Sequence, residues 1–250
     1  MRLHALDGGM LSFAVPSRGR RIEMAVRPVL VESPHGTVLY DTGFGDADEK
    51  RRRNYRLRDP WPIEEQLQEL GLPDGPDIVV LSHLHFDHAG GALVGDGEQE
   101  QLRFPKARHV IHRVEWEIGL ANGRGGNLAK RLQRAGMPEL LSDDELLLLP
   151  DLKLSRHPGH CEALLALQGM APAASFLLAA DLVPTRRFLF PREDRFADQN
   201  PKVALRERTA LLQGLAARGG VVSFYHDRHQ AFAWLRAWED GGYALCDEQH

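Results

Sequence analysis

The segment Leu81–Gly91, LSHLHFDHAGG, carries His83, His85, Asp87 and His88 almost side by side. A solvated turn has little use for several imidazoles and a carboxylate so close together, because protonation would set the rings against one another. A metal site does have a use for them. Each neutral ring offers one bare nitrogen, and the carboxylate adds a hard, charged oxygen. His83 and His85 are two positions apart, so in extended backbone both rings point to one side. Asp87 and His88 follow after the chain bends and face different directions, which suits a second ion beside the first. Gly90 and Gly91 let the backbone turn and approach the site closely.

Further candidates stand at comparable places along the chain. His83 follows the apolar stretch DIVVLS, His160 lies in the turn HPGH after LKLS, Asp181 ends SFLLAAD and His226 ends VVSFYH. Apolar stretches that each finish in a metal-type residue, if they run alongside one another, converge on one rim. Open sheets carry their sites at such edges. Taken singly, Asp181 or His226 reads as a satisfied turn residue; the joint pattern argues for a shared role.

The elements that must position these residues are legible from periodicity. LHAL and MLSFAV read as strands flanking Asp7-Gly8-Gly9, a hairpin signal. IEMAVRPVLVE and TVLYD flank Ser33-Pro34-His35-Gly36, a second turn cluster. Ile63, Leu67 and Leu70 recur at helical spacing and Gly71 ends the run. DIVVLS, β-branched and apolar throughout, reads as a strand covered on both faces. Two helical patterns follow, Val114-Ile118-Ala121 and Leu128-Leu132-Ala135, with Asn127 the expected cap of the second and Gly136 its stop. LLLLP, LKLSRH, ALLALQ and SFLLAAD resume the strand signal. Leu205, Thr209, Leu212 and Ala216 mark another helix, and VVSFY a further strand. In AFAWLRAWEDGGYALC, Asp240-Gly241 favours a hairpin over a helix.

Bulk properties narrow the classes. The chain has 250 residues, 43% hydrophobic and 26% charged, and a formal charge of −4. That is an ordinary globular profile, with no global pull toward nucleic acid or anionic membrane. No repeat or linker divides it, so residues 1–250 are expected to form one domain. Cys161 and Cys246 are too few for a disulfide scaffold or a thiolate cage. No apolar run reaches the ~20 residues of a membrane span, and no signal peptide is apparent, so a cytoplasmic setting is expected. The basic run Lys50–Arg58 reads as a solvated loop, with a flap for an anionic substrate as its sharper reading. The irregular segment Val183–Pro201 has the character of a pocket-shaping loop. Phe188, Phe190 and Phe196 offer apolar surface there, and Arg186, Arg187, Arg192 and Arg195 offer a grip on an anion.

HLHFDH has the form His-x-His-x-Asp-His. With PGH at Pro158–His160, AAD ending in Asp181 and FYHD containing His226, the chain resembles the metallo-β-lactamase superfamily, and VLYDTGFGD at Val38–Asp46 looks like that family's strand and turn beside the site. The resemblance implies an α+β fold, the four-layer αββα sandwich, around two divalent metal ions. It assigns His83, His85 and His160 to one ion, Asp87, His88 and His226 to the other, and Asp181 to both. Asp41 takes the place of an aspartate that orients a ligand histidine. Zinc is the first choice of metal, and iron or manganese suit the same donors.

The implied chemistry is hydrolysis of a small ester, lactone or phosphoester by a water shared between the ions, its pKa brought to about 7, with Asp87 and Asp181 the catalytic carboxylates and Asp181 shuttling the proton. Ser82 is read as structural. SHLHFDHAGG places the chain near the acyl-homoserine-lactone lactonases and organophosphate hydrolases. It departs from the lactonases in carrying Pro184 three residues after Asp181, where they place a tyrosine nearby. The alternatives are a thioester hydrolase of the glyoxalase II kind and a mononuclear iron sulfur dioxygenase. A small-molecule substrate is the expected partner, with a homodimer left open.

Overall fold

The computed structural model of the chain describes residues 1–15, 19–95, 99–136, 138–171, 175–190, 197–237 and 243–246. The chain divides into two compact units, Arg2–Leu140 and Leu141–His250. Among the described residues no helix is long and apolar enough to cross a membrane.

In the first unit the chain runs β1 (Arg2–Ala5), β2 (Met10–Val15), β3 (Arg20–Ala25), β4 (Val29–Ser33), β5 (Gly36–Tyr40), α1 (Glu49–Tyr55), α2 (Ile63–Glu69), β6 (Ile78–Val80), α3 (Phe86–Ala89), β7 (Leu93–Val94), β8 (Gln101–Leu102), β9 (Arg108–His112), α4 (Arg113–Asn122), α5 (Arg124–Ala135) and β10 (Glu139–Leu141). The main sheet has the order β1-β4-β5-β6-β9-β10. β4 and β5 form the hairpin expected at Ser33–Gly36, and β5, β6 and β9 run parallel. Every residue of β6 is buried, as its unbroken β-branched run requires. Strand residues Leu39, Val79 and Ile111, with Leu81 just beyond β6, pack with Leu67 of α2, Trp116 of α4, and Leu128 and Leu132 of α5. Each such side chain contributes about 1.5–3 kcal/mol by leaving water. Because β5, β6 and β9 are parallel, Asp41, Ser82–His83 and His112 leave the sheet at one edge.

The second unit comprises β11 (Glu145–Leu149), β12 (Leu152–His157), β13 (Leu164–Gly169), β14 (Phe176–Leu178), α6 (Pro201–Arg218), β15 (Gly220–Ser223), β16 (Phe232–Ala237) and β17 (Tyr243–Cys246). The strands form one sheet in sequence order. β12 is antiparallel to β13 and β13 to β14, while β14 and β15 are parallel. β12, β14 and β15 therefore share a direction and end at the same edge. α6 packs along β14, β15 and β16. Its start is set by Asn200, whose side chain accepts from Val203 N, and by Pro201 in the first turn.

Some local expectations are corrected. Asp7-Gly8-Gly9 does not close a hairpin between β1 and β2: β1 pairs with β4, and β2 pairs with β3 in a separate ribbon. The glycines serve close packing instead, since a Cβ on Gly8 would lie 2.7 Å from the Val26 carbonyl oxygen. The stretch read as one strand, IEMAVRPVLVE, is two, β3 and β4. The break falls at Pro28, which has no N–H to give a ladder and whose carbonyl accepts from Leu6 N. Lys50–Arg58 is largely the helix α1 rather than a loop, because Asp48 caps it by accepting from Arg51 N. Asn127 is not the cap of α5. Gly123 takes that position, and Asn127 lies in the first turn at φ 60°. β16 and β17 are antiparallel, in keeping with the hairpin reading, while Asp240 and Gly241 fall outside the described residues.

His109 on β9 is buried, with its Nδ1 3.1 Å from the Ala107 carbonyl. Burial pushes its pKa below the ordinary imidazole value, outweighing the opposing pull of that carbonyl. The folded chain thus binds this proton less readily than the unfolded chain. Its stabilising share is complete above about pH 6.5 and is lost as pH falls from there toward the lowered folded-state value. Replacing His109 with Leu is expected to flatten the decline of the urea midpoint below pH 6.5; an unchanged slope would assign that decline to other groups.

Candidate metal centre

In the first unit the site is built on the loop that follows β6. The Asp41 carboxylate organises it. Oδ1 accepts from Ser82 N at 2.7 Å, and Oδ2 accepts from Ser82 Oγ at 2.8 Å and faces His88 Nδ1 at 2.8 Å. Asp41 pays for this position with a left-handed backbone, φ 61°, which costs an L-residue roughly 1–2 kcal/mol. Ser82 Oγ also lies 2.9 Å from His83 Nδ1. The serine has one hydroxyl proton and gives it to the carboxylate, so towards His83 it can only accept. His83 therefore carries its proton on Nδ1 and leaves Nε2 bare. By the same reasoning His88 donates Nδ1–H to Asp41 and leaves its own Nε2 bare.

His83, His85 and His88 are brought together. His83 Nε2 is 2.8 Å from His85 Nδ1, and the His83 ring centre is 4.4 Å from that of His85 and 4.2 Å from that of His88. His85 has extended backbone, φ −69° and ψ 147°, just before α3, so the two-residue spacing does turn both rings to one side. Asp87 sits half-buried in the single turn of α3 beside His88. This turn is pressed against the strand-end loop Thr42–Gly45. The His88 carbonyl accepts from Thr42 N at 2.7 Å, and Gly91 N donates to the Gly43 carbonyl at 2.9 Å. The aromatic of the motif is held too: Tyr55 lies 4.7 Å from Phe86 ring to ring, and the Arg51 guanidinium stands over Phe86 at 5.5 Å. The basic segment thus props the histidine loop.

In the second unit His160, Asp181 and His226 leave the shared edge of β12, β14 and β15. The Asp181 carboxylate lies between the two rings. Oδ2 is 3.2 Å from His160 Nε2, and Oδ1 is 3.1 Å from His226 Nε2. Those spans are close to the ~3.3 Å between neighbouring ligands of a tetrahedral ion with bonds of about 2.0–2.1 Å. A carboxylate offering one oxygen to each of two sites has this form. The turn bearing His160 fits only a glycine before it: Gly159 has φ 129°, and a Cβ there would come 2.4 Å from Ala204 N. His157 is not part of this group. It bonds Ser155 and Glu207 at 2.9 and 3.0 Å and ties β12 to α6. Burial lowers its pKa even against the pull of Glu207. Of the Val183–Pro201 segment, Phe190 is exposed and Arg186 pairs with Asp227, while Arg192, Arg195 and Phe196 fall outside the described residues.

A model of the family described as Metallo-beta-lactamase superfamily matches residues 23–218. The chain belongs to the metallo-β-lactamase superfamily. It is a metal-dependent hydrolase of that group, and it has the metallo-β-lactamase fold. The chain is similar to the N-acyl homoserine lactonase AiiB of Agrobacterium fabrum (strain C58 / ATCC 33970), at 28% identity over 93% of this chain and 91% of the relative. A probable metal-dependent hydrolase from Staphylococcus aureus has the same fold, with TM-score 0.83 at 21% identity over 100% of this chain and 98% of that one. AidC, a dizinc quorum-quenching lactonase, matches with TM-score 0.74 at 22% identity over 99% and 94%.

Two supports of these candidate ligands escape a reading of the sequence. Glu115, fully buried on α4, accepts from Leu84 N at 3.1 Å inside the histidine motif and is held by Arg124 at 2.8 and 2.9 Å. Asp198 places Oδ1 3.4 Å from His160 Nδ1. Neither belongs to a local motif; each meets its partner only through the fold.

A Cβ on Gly91 would sit 2.1 Å from the Thr42 carbonyl oxygen. Gly91→Ala is therefore expected to destabilise the protein by about 1–3 kcal/mol, and by parting the histidine loop from Thr42 to lower the bound metal. Urea unfolding together with metal analysis checks both.

Proposed function

We propose that the chain is a dinuclear metal-dependent hydrolase of small carboxylic esters and lactones. His83, His85 and His160 would hold one ion and Asp87, His88 and His226 the other. Asp181 would offer a carboxylate oxygen to each, and zinc is the expected metal. The observation that carries this reading is Asp181, whose two carboxylate oxygens face the Nε2 atoms of two different histidines. The donor set fits the group independently, since the bonds from Ser82 and Asp41 leave Nε2 bare on His83 and His88.

Two divalent ions held there would supply a water acidified to a pKa of about 7 and a Lewis acid for the substrate oxygen. The chain's own part is to hold the donors and to move the proton. Asp181 takes the proton of the attacking water and delivers it to the departing alkoxide. Asp87 serves as the second carboxylate of the site. Asp41 stays bound to His88 and Ser82 throughout, and so keeps the histidine tautomers fixed. Lactones and esters come first because the chain is similar to N-acyl homoserine lactonases over most of its length. Pro184, where lactonases place a tyrosine nearby, marks the substrate pocket as the part that differs.

Metal analysis of the purified protein should return two ions per chain, and a panel of lactones, thioesters and phosphodiesters should show turnover greatest on a lactone or ester. One iron per chain would favour a dioxygenase, and preference for a thioester would favour the glyoxalase II kind. His85→Ala and Asp87→Ala should each remove an ion and lower kcat/KM by at least a thousandfold, about 4 kcal/mol of transition-state stabilisation. Full turnover by either variant with altered metal content would refute the ligand assignment.

A further inference from the structure

The row that α6 turns inward is apolar: Ala204, Leu211, Leu212, Leu215 and Ala216. One member breaks it, Arg208, whose side chain is 1% exposed. A guanidinium taken out of water is costly unless its charge and its donors are matched. Here the match is specific. One terminal nitrogen donates to Asp198 Oδ2 at 3.1 Å, Nε donates to the Leu182 carbonyl, and the plane lies over the Phe188 ring at 4.8 Å.

Both polar partners lead to a proposed ligand. Asp198 has its other oxygen, Oδ1, 3.4 Å from His160 Nδ1. Leu182 follows Asp181 in a tight turn that includes Ala180 at φ 40°, a left-handed position for a residue with a Cβ. We infer that Arg208 is a positioning residue, acting on His160 through Asp198 and on Asp181 through the Leu182 carbonyl. The inference rests on the dinuclear reading of the site. Arg208 donates only, so it fixes which oxygen of Asp198 remains for His160. That oxygen stands 3.4 Å from Nδ1, so with an ion held at Nε2, the atom that faces Asp181, it would take up the Nδ1 proton. Asp41 does the same for His88, with Ser82 in the part that Arg208 plays here.

Asp198→Asn separates this role from simple core pairing. Arg208 can only donate, so the new amide must turn its oxygen to Arg208 and its NH2 to His160. Nδ1 must then accept, the proton moves to Nε2, and His160 can no longer ligate. The variant should keep a thermal midpoint near that of the wild type while its zinc affinity falls 10–100-fold, measured by competition with a chromophoric chelator. Its Co²⁺-loaded form should show an altered visible absorption band. Adding Arg208→Met to Asp198→Asn frees the amide to rotate, so part of the lost affinity should return, an outcome that no purely structural ion pair would give. Wild-type affinity and spectrum in Asp198→Asn overturn the inference alone. Failure of the double variant to regain affinity overturns the assigned mechanism. A wild-type chain that takes up neither zinc nor cobalt overturns the functional reading and this inference with it.

Discussion

An imidazole can hold a metal only through a nitrogen that carries no proton, and in neutral histidine the choice between two nitrogens is nearly even until something fixes it. In this chain buried carboxylates fix it. Asp41 takes the proton side of His88 directly and that of His83 by way of Ser82. Asp198 stands 3.4 Å from Nδ1 of His160. These are expensive groups to bury, and each is made affordable by donors: the Ser82 amide and hydroxyl for Asp41, a guanidinium for Asp198. The outer carboxylates thus tune a metal site through the rings they orient.

Both sheets prepare this in the same way. Parallel strands end together, so residues far apart in sequence leave at one edge. Tight turns just beyond those ends then aim the side chains. Strain collects there, at Asp41 and Ala180, and glycine is required where one backbone must touch another, as Gly91 does beside Thr42 and Gly159 beside Ala204. The regular parts of the fold carry ordinary apolar burial, and the irregular parts carry the chemistry.

The sequence makes some of this plain and conceals the rest for physical reasons. HLHFDH is local, its spacing is meaningful in any extended-then-bent backbone, and the family resemblance it carries is borne out. Strands such as DIVVLS announce themselves by composition. Asp7-Gly8-Gly9 misleads because the same residues that close hairpins also permit close packing, and the choice between these uses lies in β4, which displaces β2 as the partner of β1. Glu115 and Asp198 are invisible for a related reason. An acidic residue on a helix or in a loop looks solvated until the tertiary fold brings a histidine loop or an imidazole to it, and nothing within a few positions of either one signals that contact.

α1 buries none of its own residues, yet Arg51 and Tyr55 reach Phe86 at the centre of the histidine motif. A short surface helix without a core of its own opens far more often than the sheet beneath it. The shape of the histidine loop is therefore coupled to a local fraying equilibrium, and amide hydrogen exchange around Phe86 would follow the opening of α1 rather than unfolding of the whole protein. Salt, which weakens the charged contacts along that helix, would loosen the loop while leaving the β-sheets untouched.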